Sequence, residues 1–335
     1  MGQGLFVICD DDEAYARKIY EYICERESES YDVFLFTGKK ELEDFLSRKK
    51  VEILVISENL CEEGEEFINV KHTFVLRLKE NYKRGSFPGV YKYKSGDVLL
   101  REIMNYCADS KEMHLKRSNS KLMKVIGIYS PVKRCFQTTF ALTLGQILAM
   151  KGRALYLNFE FYSGFELIND ITDQKDMSDL LYFLGCESDT FAFRLSSMTN
   201  RIGSLDYVSP AHSYLSETSI RGDEWLKLIH SFKEYTDYEY LVLDLSENVC
   251  GLFDVLRECS MIYTITGNDR ISSAKVGQYE SLLSGYSYED VIEKTRHIEV
   301  PVFREIPKEF EMLPYSELAG FVKGLVSEDF KKDDF

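Results

Sequence analysis

The sequence predicts an α/β protein that contains two doubly wound domains. Short apolar strands alternate with amphipathic helices over residues 1–107, and the same alternation resumes at residue 122. The stretch 108–121 is polar and lacks periodicity, which is typical of a linker. With 335 residues, of which 44% are hydrophobic, the chain is long enough to bury two cores. We therefore expect one domain over 1–107 and a second over 122–335.

The first domain is predicted to contain five strands with helices between them. Apolar runs bounded by polar or turn residues indicate strands over 5–9, 33–36, 51–56, 73–76 and 89–91. Apolar residues at helical spacing indicate helices after Asp12, over 40–47 and over 97–107. Because strands that alternate with helices favour a parallel sheet, we expect the flavodoxin-like strand order.

The second domain opens with a strand, a loop, a helix and a strand over residues 124–160. Val125, Ile126 and Ile128 indicate the first strand, and apolar residues at 3.6 spacing over 140–150 indicate the helix. Residues 190–200 fit neither a helix nor a strand clearly. The remaining predicted strands are 206–210, 239–245 and 260–265, and the remaining predicted helices are 176–184, 219–235, 251–258, 271–284 and 316–326.

The loop before the helix of this unit is a candidate phosphate site. The helix start presents unpaired amide groups and the positive end of the helix dipole, which favour an anion. A working phosphate loop also needs glycines, a lysine and then a magnesium-binding hydroxyl. Thr138 and Thr139 occupy the hydroxyl positions. The lysine position holds Gln137, and the glycine positions hold Lys133, Arg134 and Phe136.

Two interpretations of this loop stay open. In the first, helix amides, Thr138 and two basic side chains still hold ATP. In the second, the loop is an inert turn that serves only the fold. The candidate nucleotide-contacting residues of the loop and helix are Lys133, Arg134, Cys135, Phe136, Gln137, Thr138 and Thr139.

Four segments of the second domain, in this order, resemble the deviant Walker ATPases of the MinD/ParA superfamily. They are 126–131 (IGIYSP), 138–145 (TTFALTLG), 155–160 (LYLNFE) and 238–244 (YEYLVLD). With a receiver-like domain in front, the chain is most similar to the TadZ/CpaE pilus-assembly branch. The resemblance implies a P-loop NTPase-like fold with a degenerate Walker A loop, ATP and magnesium as cofactors, and a homodimer.

The resemblance also assigns roles to individual residues. Thr138 and Asp244 would hold the magnesium ion of the nucleotide, Asp244 through water. Asn158 stands where the family has an aspartate that orients the attacking water, and Glu160 follows two residues later. The signature lysine of the family falls at Val132. Because losing one strong donor to a transferring group costs roughly 10²–10³ in rate, we expect little or no ATP hydrolysis.

The first domain resembles a response-regulator receiver. Asp10 and Asp11 match the acidic pair that binds magnesium in that family, and Lys92 matches the lysine after the fifth strand. Ser57 stands in place of the phosphorylated aspartate, so the resemblance implies a pseudo-receiver without phosphotransfer. For the cluster 10–12, a weak magnesium site and a solvated cap of the next helix both remain open.

Composition limits the partners. A net charge of −15 opposes non-specific binding to nucleic acid or to an anionic membrane. The eight cysteines form no C-x-x-C pair and are expected to be reduced thiols. The apolar stripe of the last helix, 316–326, carries a single lysine, so we expect it to pack on the sheet and not to anchor the chain in a membrane. No apolar run approaches 18 residues, and we expect a soluble, cytoplasmic protein.

These observations favour a scaffold or switch that binds ATP with little or no turnover and recruits pilus or secretion assembly proteins to a site in the cell. The first alternative is a slow ATPase of the MinD/ParA type that acts in partitioning or positioning. The second alternative is an atypical response regulator, which Ser57 opposes.

Overall fold

The computed structural model describes residues 4–27, 31–62, 64–79, 87–109, 123–133, 136–165, 175–184, 191–211 and 220–330. The chain divides into two compact units, Met1–His114 and Leu115–Phe335. The last helix of the first unit ends at Asp109, beyond the predicted end at 107. Most of the predicted linker lies outside the described residues.

The first unit contains a five-stranded parallel sheet with three helices in its described part. The strands are β1 Gly4–Cys9, β2 Tyr31–Phe36, β3 Val51–Ser57, β4 Val70–Arg77 and β5 Gly89–Tyr91. The helices are α1 Glu13–Glu27, α2 Lys39–Leu46 and α3 Gly96–Asp109. The strand order β2-β1-β3-β4-β5 is the flavodoxin-like order that the sequence predicts.

The register of this sheet brings its polar residues to one edge. Cys9, the last residue of β1, lies opposite Phe36 of β2 and Ile56 of β3. Because parallel strands end on the same side, Asp10, which follows β1, and Ser57, the last residue of β3, lie at a common edge.

The second unit contains a seven-stranded sheet that is parallel except at one end. Its order is β12-β11-β6-β10-β7-β9-β8, and only β8 is antiparallel to its neighbour. The strands are β6 Lys124–Tyr129, β7 Ala154–Asn158, β8 Thr199–Ile202, β9 Leu205–Val208, β10 Tyr240–Asp244, β11 Met261–Ile265 and β12 Thr295–Ile298.

The helices in the described part of the second unit pack in two hydrophobic clusters with residues of this sheet. They are α4 Gln137–Ala149, α5 Met177–Leu184, α6 Phe191–Met198, α7 Gly222–Tyr235, α8 Leu252–Glu258, α9 Arg270–Gly285, α10 Glu289–Glu293 and α11 Glu317–Asp329, with a 3-10 helix over Phe310–Tyr315. The helix predicted over 219–235 begins later, at Gly222, although Ile220 is buried as expected.

Helix α4 lies in the core and is buried on nearly every side. Gly145 allows it to approach β9 closely, since a Cβ at this position would lie 2.8 Å from Leu205 Cδ2. On its other side, Leu318 and Val322 of α11 join the same hydrophobic cluster. The prediction that the apolar stripe of the last helix packs into the core is therefore confirmed. Among the described helices, none combines the length and apolar character needed to cross a membrane.

Candidate nucleotide-binding site

The candidate phosphate loop runs from the end of β6 to the start of α4. The Ser130 hydroxyl donates to the carbonyl oxygen of Ile265 at 2.8 Å and fixes the start of the loop. Lys133 and Phe136 both have positive φ angles, 56° and 79°. These are two of the positions where a phosphate loop would carry glycine, so the left-handed backbone persists although the glycines are gone. Arg134 and Cys135 lie outside the described residues.

The side chain at the lysine position points into the core. Gln137 Nε2 donates to Asp244 Oδ1 at 2.6 Å and to the carbonyl oxygen of Leu245 at 2.8 Å. The two short contacts match the two hydrogens of the amide nitrogen, and the residue is only 8% exposed. A lysine at this position would reach a phosphate. Gln137 instead donates hydrogen bonds to groups at the end of β10.

Asp244 lies at the centre of a buried polar network. Its carboxylate is fully buried, and Oδ2 accepts from the Tyr156 hydroxyl at 2.9 Å and from Asn158 Nδ2 at 3.4 Å. Burial raises the pKa of Asp244 to about 6, and hydrogen bonds from Gln137, Thr138 and Tyr156 oppose this rise. The network holds a carboxylate that ionises only near neutral pH.

This arrangement does not fit a magnesium ion. Both oxygens of Asp244 accept hydrogen bonds, and the residue has no exposed surface through which a metal or its water could enter. Across the part of the chain that the structure describes, no group of three or more His, Cys, Asp or Glu side chains is placed to hold a metal. Coordination by Asp244 would require Gln137 to leave its position.

Asn158 belongs to the hydrogen-bond network of Asp244, whereas Glu160 acts on it through its charge. Asn158 is 1% exposed, and its amide donates to the Tyr156 hydroxyl at 2.9 Å while its oxygen accepts from the Glu160 backbone at 2.8 Å. The predicted water-orienting residue therefore contacts protein groups on both sides. Glu160 is half-buried, and its charge adds to the rise in the pKa of Asp244.

Three of the remaining residues of the loop and helix start keep access to solvent. Thr138 is half-buried and hydrogen-bonds to Asp244. Lys133 is largely exposed and forms an ion pair with Glu247, which follows β10. Thr139 is half-buried, and its carbonyl oxygen accepts from the Thr143 hydroxyl at 2.7 Å within α4.

Sequence reasoning missed Tyr156 and Glu247. Tyr156 occurs in an apolar strand, where an aromatic residue is expected for packing alone. A buried tyrosine hydroxyl usually finds a partner, and the parallel pairing of β7 with β10 brings this hydroxyl to Asp244. That pairing was the available signal for Tyr156, whereas nothing in the sequence indicated the Glu247 contact.

Lys92 and Asp10 of the first unit, which the sequence analysis singled out, are in contact. Lys92 Nζ donates to Asp10 Oδ1 at 2.7 Å, and both side chains are buried. Burial raises the pKa of Asp10, although the hydrogen bond from Lys92 opposes this. Oδ2 of Asp10 is buried and accepts no hydrogen bond from the described residues.

Ser57 is hydrogen-bonded to Asp11, the second acidic residue of this cluster. Its hydroxyl donates to Asp11 Oδ1 at 2.8 Å, and Asn59 Nδ2 donates to Asp11 Oδ2 at 3.0 Å. The hydrogen bond from Ser57 is the main reason why the pKa of Asp11 is lowered. Ser57 thus contacts one member of the acidic pair, Asp11, directly.

Solved structures of ATPases are similar to the second part of the chain. A ParA family ATPase from Chlorobium tepidum TLS shares 17% identity over 58% of this chain and 81% of its own, with a TM-score of 0.44. MinD cell division protein from Aquifex aeolicus shares 15% over 59% of this chain and 93% of its own, with a TM-score of 0.43.

A third similar structure is cobyrinic acid a,c-diamide synthase from Mycobacterium smegmatis, with a bound ATP analogue and magnesium. It shares 14% identity over 63% of this chain and 84% of its own, with a TM-score of 0.41. No protein-family model matches the chain, and the curated proteins gave no match. Because these identities and TM-scores are low, we base the function on the contacts of the chain itself.

Proposed function

We propose that this chain is a scaffold or switch protein whose second unit has the architecture of a MinD/ParA-like ATPase and little or no turnover. The observation that carries the proposal is the hydrogen bond from Gln137 to Asp244. Catalysis of phosphoryl transfer depends on a cation and a metal ion at the phosphates. Here the residue at the cation position, Gln137, donates a hydrogen bond to the Asp244 carboxylate, which is the group that would hold the metal.

ATP itself remains part of the proposal as a bound ligand. The first backbone amides of α4 can donate hydrogen bonds to a phosphate without help from a side chain. Thr138 and Lys133 lie at this end of the helix and keep exposed surface. These features favour binding without cleavage, since they supply anion contacts but no metal site.

The proposed role in pilus or secretion assembly is based on the resemblance of the sequence to the TadZ/CpaE branch. We propose that the second unit forms a homodimer and that the first unit is a docking module without phosphotransfer. The Ser57 contact with Asp11 supports the second point, because a hydroxyl at this position is not a carboxylate that accepts phosphate. The assembled protein would recruit pilus or secretion components.

Two measurements on the purified chain test this proposal. ATP turnover with magnesium should equal that of the Asp244→Ala variant, and sedimentation should show self-association at micromolar concentration. Mass spectrometry of co-purifying nucleotide would identify the ligand. A particle that stays monomeric at every micromolar concentration would count against the scaffold.

A slow ATPase is the second candidate, and Thr138 and Lys133 at the start of α4 favour it. It predicts magnesium-dependent hydrolysis that Asp244→Ala abolishes, and no turnover would dismiss it. An atypical response regulator is the third candidate. It predicts stable modification of the first unit by acetyl phosphate, whereas the proposed pseudo-receiver predicts none.

A further inference from the structure

A cavity of about 800 Å³ lies in the second unit, beside the start of the candidate phosphate loop and separate from the Asp244 network. The loop, the segment after β10, and helices α8 and α9 form its walls. Volumes in this range are typical of sites that bind small molecules, so the cavity can also hold residues that flank an anchoring side chain. Five aromatic residues line the cavity, namely Tyr129, Phe253, Tyr279, Tyr286 and Tyr288.

We propose that this cavity binds an arginine side chain carried by a basic segment of a partner protein. A guanidinium group stacks on aromatic faces and is attracted by their electron-rich surfaces. The chain already makes this contact at the cavity wall, where the Arg257 guanidinium lies 4.0 Å from the centre of the Tyr288 ring. The same ring type on the remaining walls offers further surfaces of this kind.

The polar groups of the cavity also favour a cation with several N–H donors. The carboxylates of Glu247 and Asp254 and one cation, Lys275, are among the residues that line the cavity, and Asp254 accepts from the Tyr288 hydroxyl at 2.7 Å. Tyr279 is 95% buried, and its hydroxyl has no hydrogen-bond partner in the described part of the chain. A guanidinium can donate to the Asp254 carboxylate, because it carries five N–H donors in a planar fork.

The rim of the cavity explains why the arginine should belong to a peptide. Ile271 and Leu282 of α9 and Tyr286, which directly follows α9, are exposed, at 70%, 44% and 67%. Two of them line the cavity, so apolar residues beside the arginine would find contacts there. The net charge of −15 adds a long-range attraction for a basic segment.

The proposal depends on the function proposed above only in taking the occupant to be a partner protein. The cavity contains none of the residues tested by the ATP measurements, so each proposal fails on its own experiment. Tyr286→Ala is a suitable probe because Tyr286 is largely exposed. Tyr182→Ala is the matched control, since Tyr182 is 75% exposed and does not line the cavity.

The experiment selects binders from a displayed library of random dodecapeptides on the full chain. We expect enrichment of arginine next to aliphatic or aromatic residues. In fluorescence anisotropy, the best peptide should bind Tyr286→Ala or Asp254→Asn about tenfold more weakly than the wild type, and Tyr182→Ala like the wild type. Replacing its arginine with citrulline, which has nearly the same shape but no charge, should cause a similar loss.

Three results would overturn the proposal. They are no enrichment of arginine, equal binding of the citrulline peptide, and equal binding to wild type and Tyr286→Ala. Enrichment of basic residues without apolar neighbours, with binding lost on adding salt, would indicate non-specific attraction to an acidic protein and would also overturn it.

Discussion

Gln137 and Asp244 lie in the interior of the second unit, where a carboxylate without hydrogen-bond donors is costly. Gln137 supplies the shortest of the contacts to Asp244, at 2.6 Å. The same side chain that removes a phosphate contact therefore satisfies a buried charge. At the level of single residues, Gln137 makes a structural contact with the carboxylate at the end of β10.

Replacing Gln137 with methionine should lower the free energy of unfolding at pH 7.5. The change keeps the length of the side chain and removes the donor to a charged group, which costs about 1.5–3 kcal/mol. Gln146→Met is the matched control, because Gln146 is also buried on α4 but donates to a neutral carbonyl oxygen, that of Phe310. Urea unfolding measures both, and equal losses would contradict the assigned contact.

Asp244 should also make stability depend on pH. Burial raises its pKa from 3.8 to about 6 in the folded protein, so the folded state binds the proton more tightly. Its contribution is full below pH 4 and is lost as pH rises to 6, by up to about 3 kcal/mol. The free energy of unfolding of wild type minus that of Asp244→Asn should fall by this amount between pH 4 and 7. A constant difference would contradict the raised pKa.

Phe136 holds a backbone conformation that suits glycine. A residue with a side chain costs about 1–2 kcal/mol in the left-handed region, and Phe136 has a φ of 79°. Phe136→Gly should therefore leave the free energy of unfolding unchanged or raise it by about 1 kcal/mol. Met150→Gly is the control, since Met150 is exposed and has an ordinary φ of −75°, and it should lose stability. If Phe136→Gly lowered the free energy of unfolding as much as Met150→Gly does, the backbone at Phe136 would not be strained.

The identities of many site residues could be predicted from the sequence, but not their contacts. Asp244 ends an apolar strand and Thr138 begins a helix, which are local features. The inward direction of Gln137 depends on how β6, α4 and β10 pack, and no local pattern specifies this. The roles assigned to these residues in nucleotide binding remain predictions.

Among the helices and strands, those with the strongest hydrophobic pattern were predicted best. Buried parallel strands such as β10 are continuous apolar runs and were predicted within a few residues. Strands β8 and β12 were missed because both lie at an end of the sheet. The sequence of β12, Thr295–Ile298, is largely polar, and edge strands with polar residues lack the apolar run of a central strand.

Helix α11 tests the packing of one element. Leu318 is fully buried in the cluster that contains α4, so Leu318→Ala should lower the free energy of unfolding by about 2–5 kcal/mol. Met312→Ala, at a half-exposed position in the preceding 3-10 helix, should cost much less. Thermal and urea unfolding measure the difference, and a negligible effect at Leu318 would place the apolar stripe outside the core.

For the whole molecule, the chain combines two α/β units, one with a parallel sheet and one with a mostly parallel sheet. In both, polar residues gather where parallel strands end, and in both a carboxylate is paired within the protein, Asp10 with Lys92 and Asp244 with Gln137. These internal contacts are the basis on which we propose binding and assembly, with little or no turnover, for the chain.

The measurement that tests this account most directly is the affinity for ATP with and without magnesium, determined by calorimetry on wild type and Asp244→Asn. We predict that magnesium does not strengthen ATP binding to the wild type and that the variant behaves alike. Magnesium that tightens ATP binding to the wild type but not to Asp244→Asn would contradict the account, because Asp244 would then hold the metal.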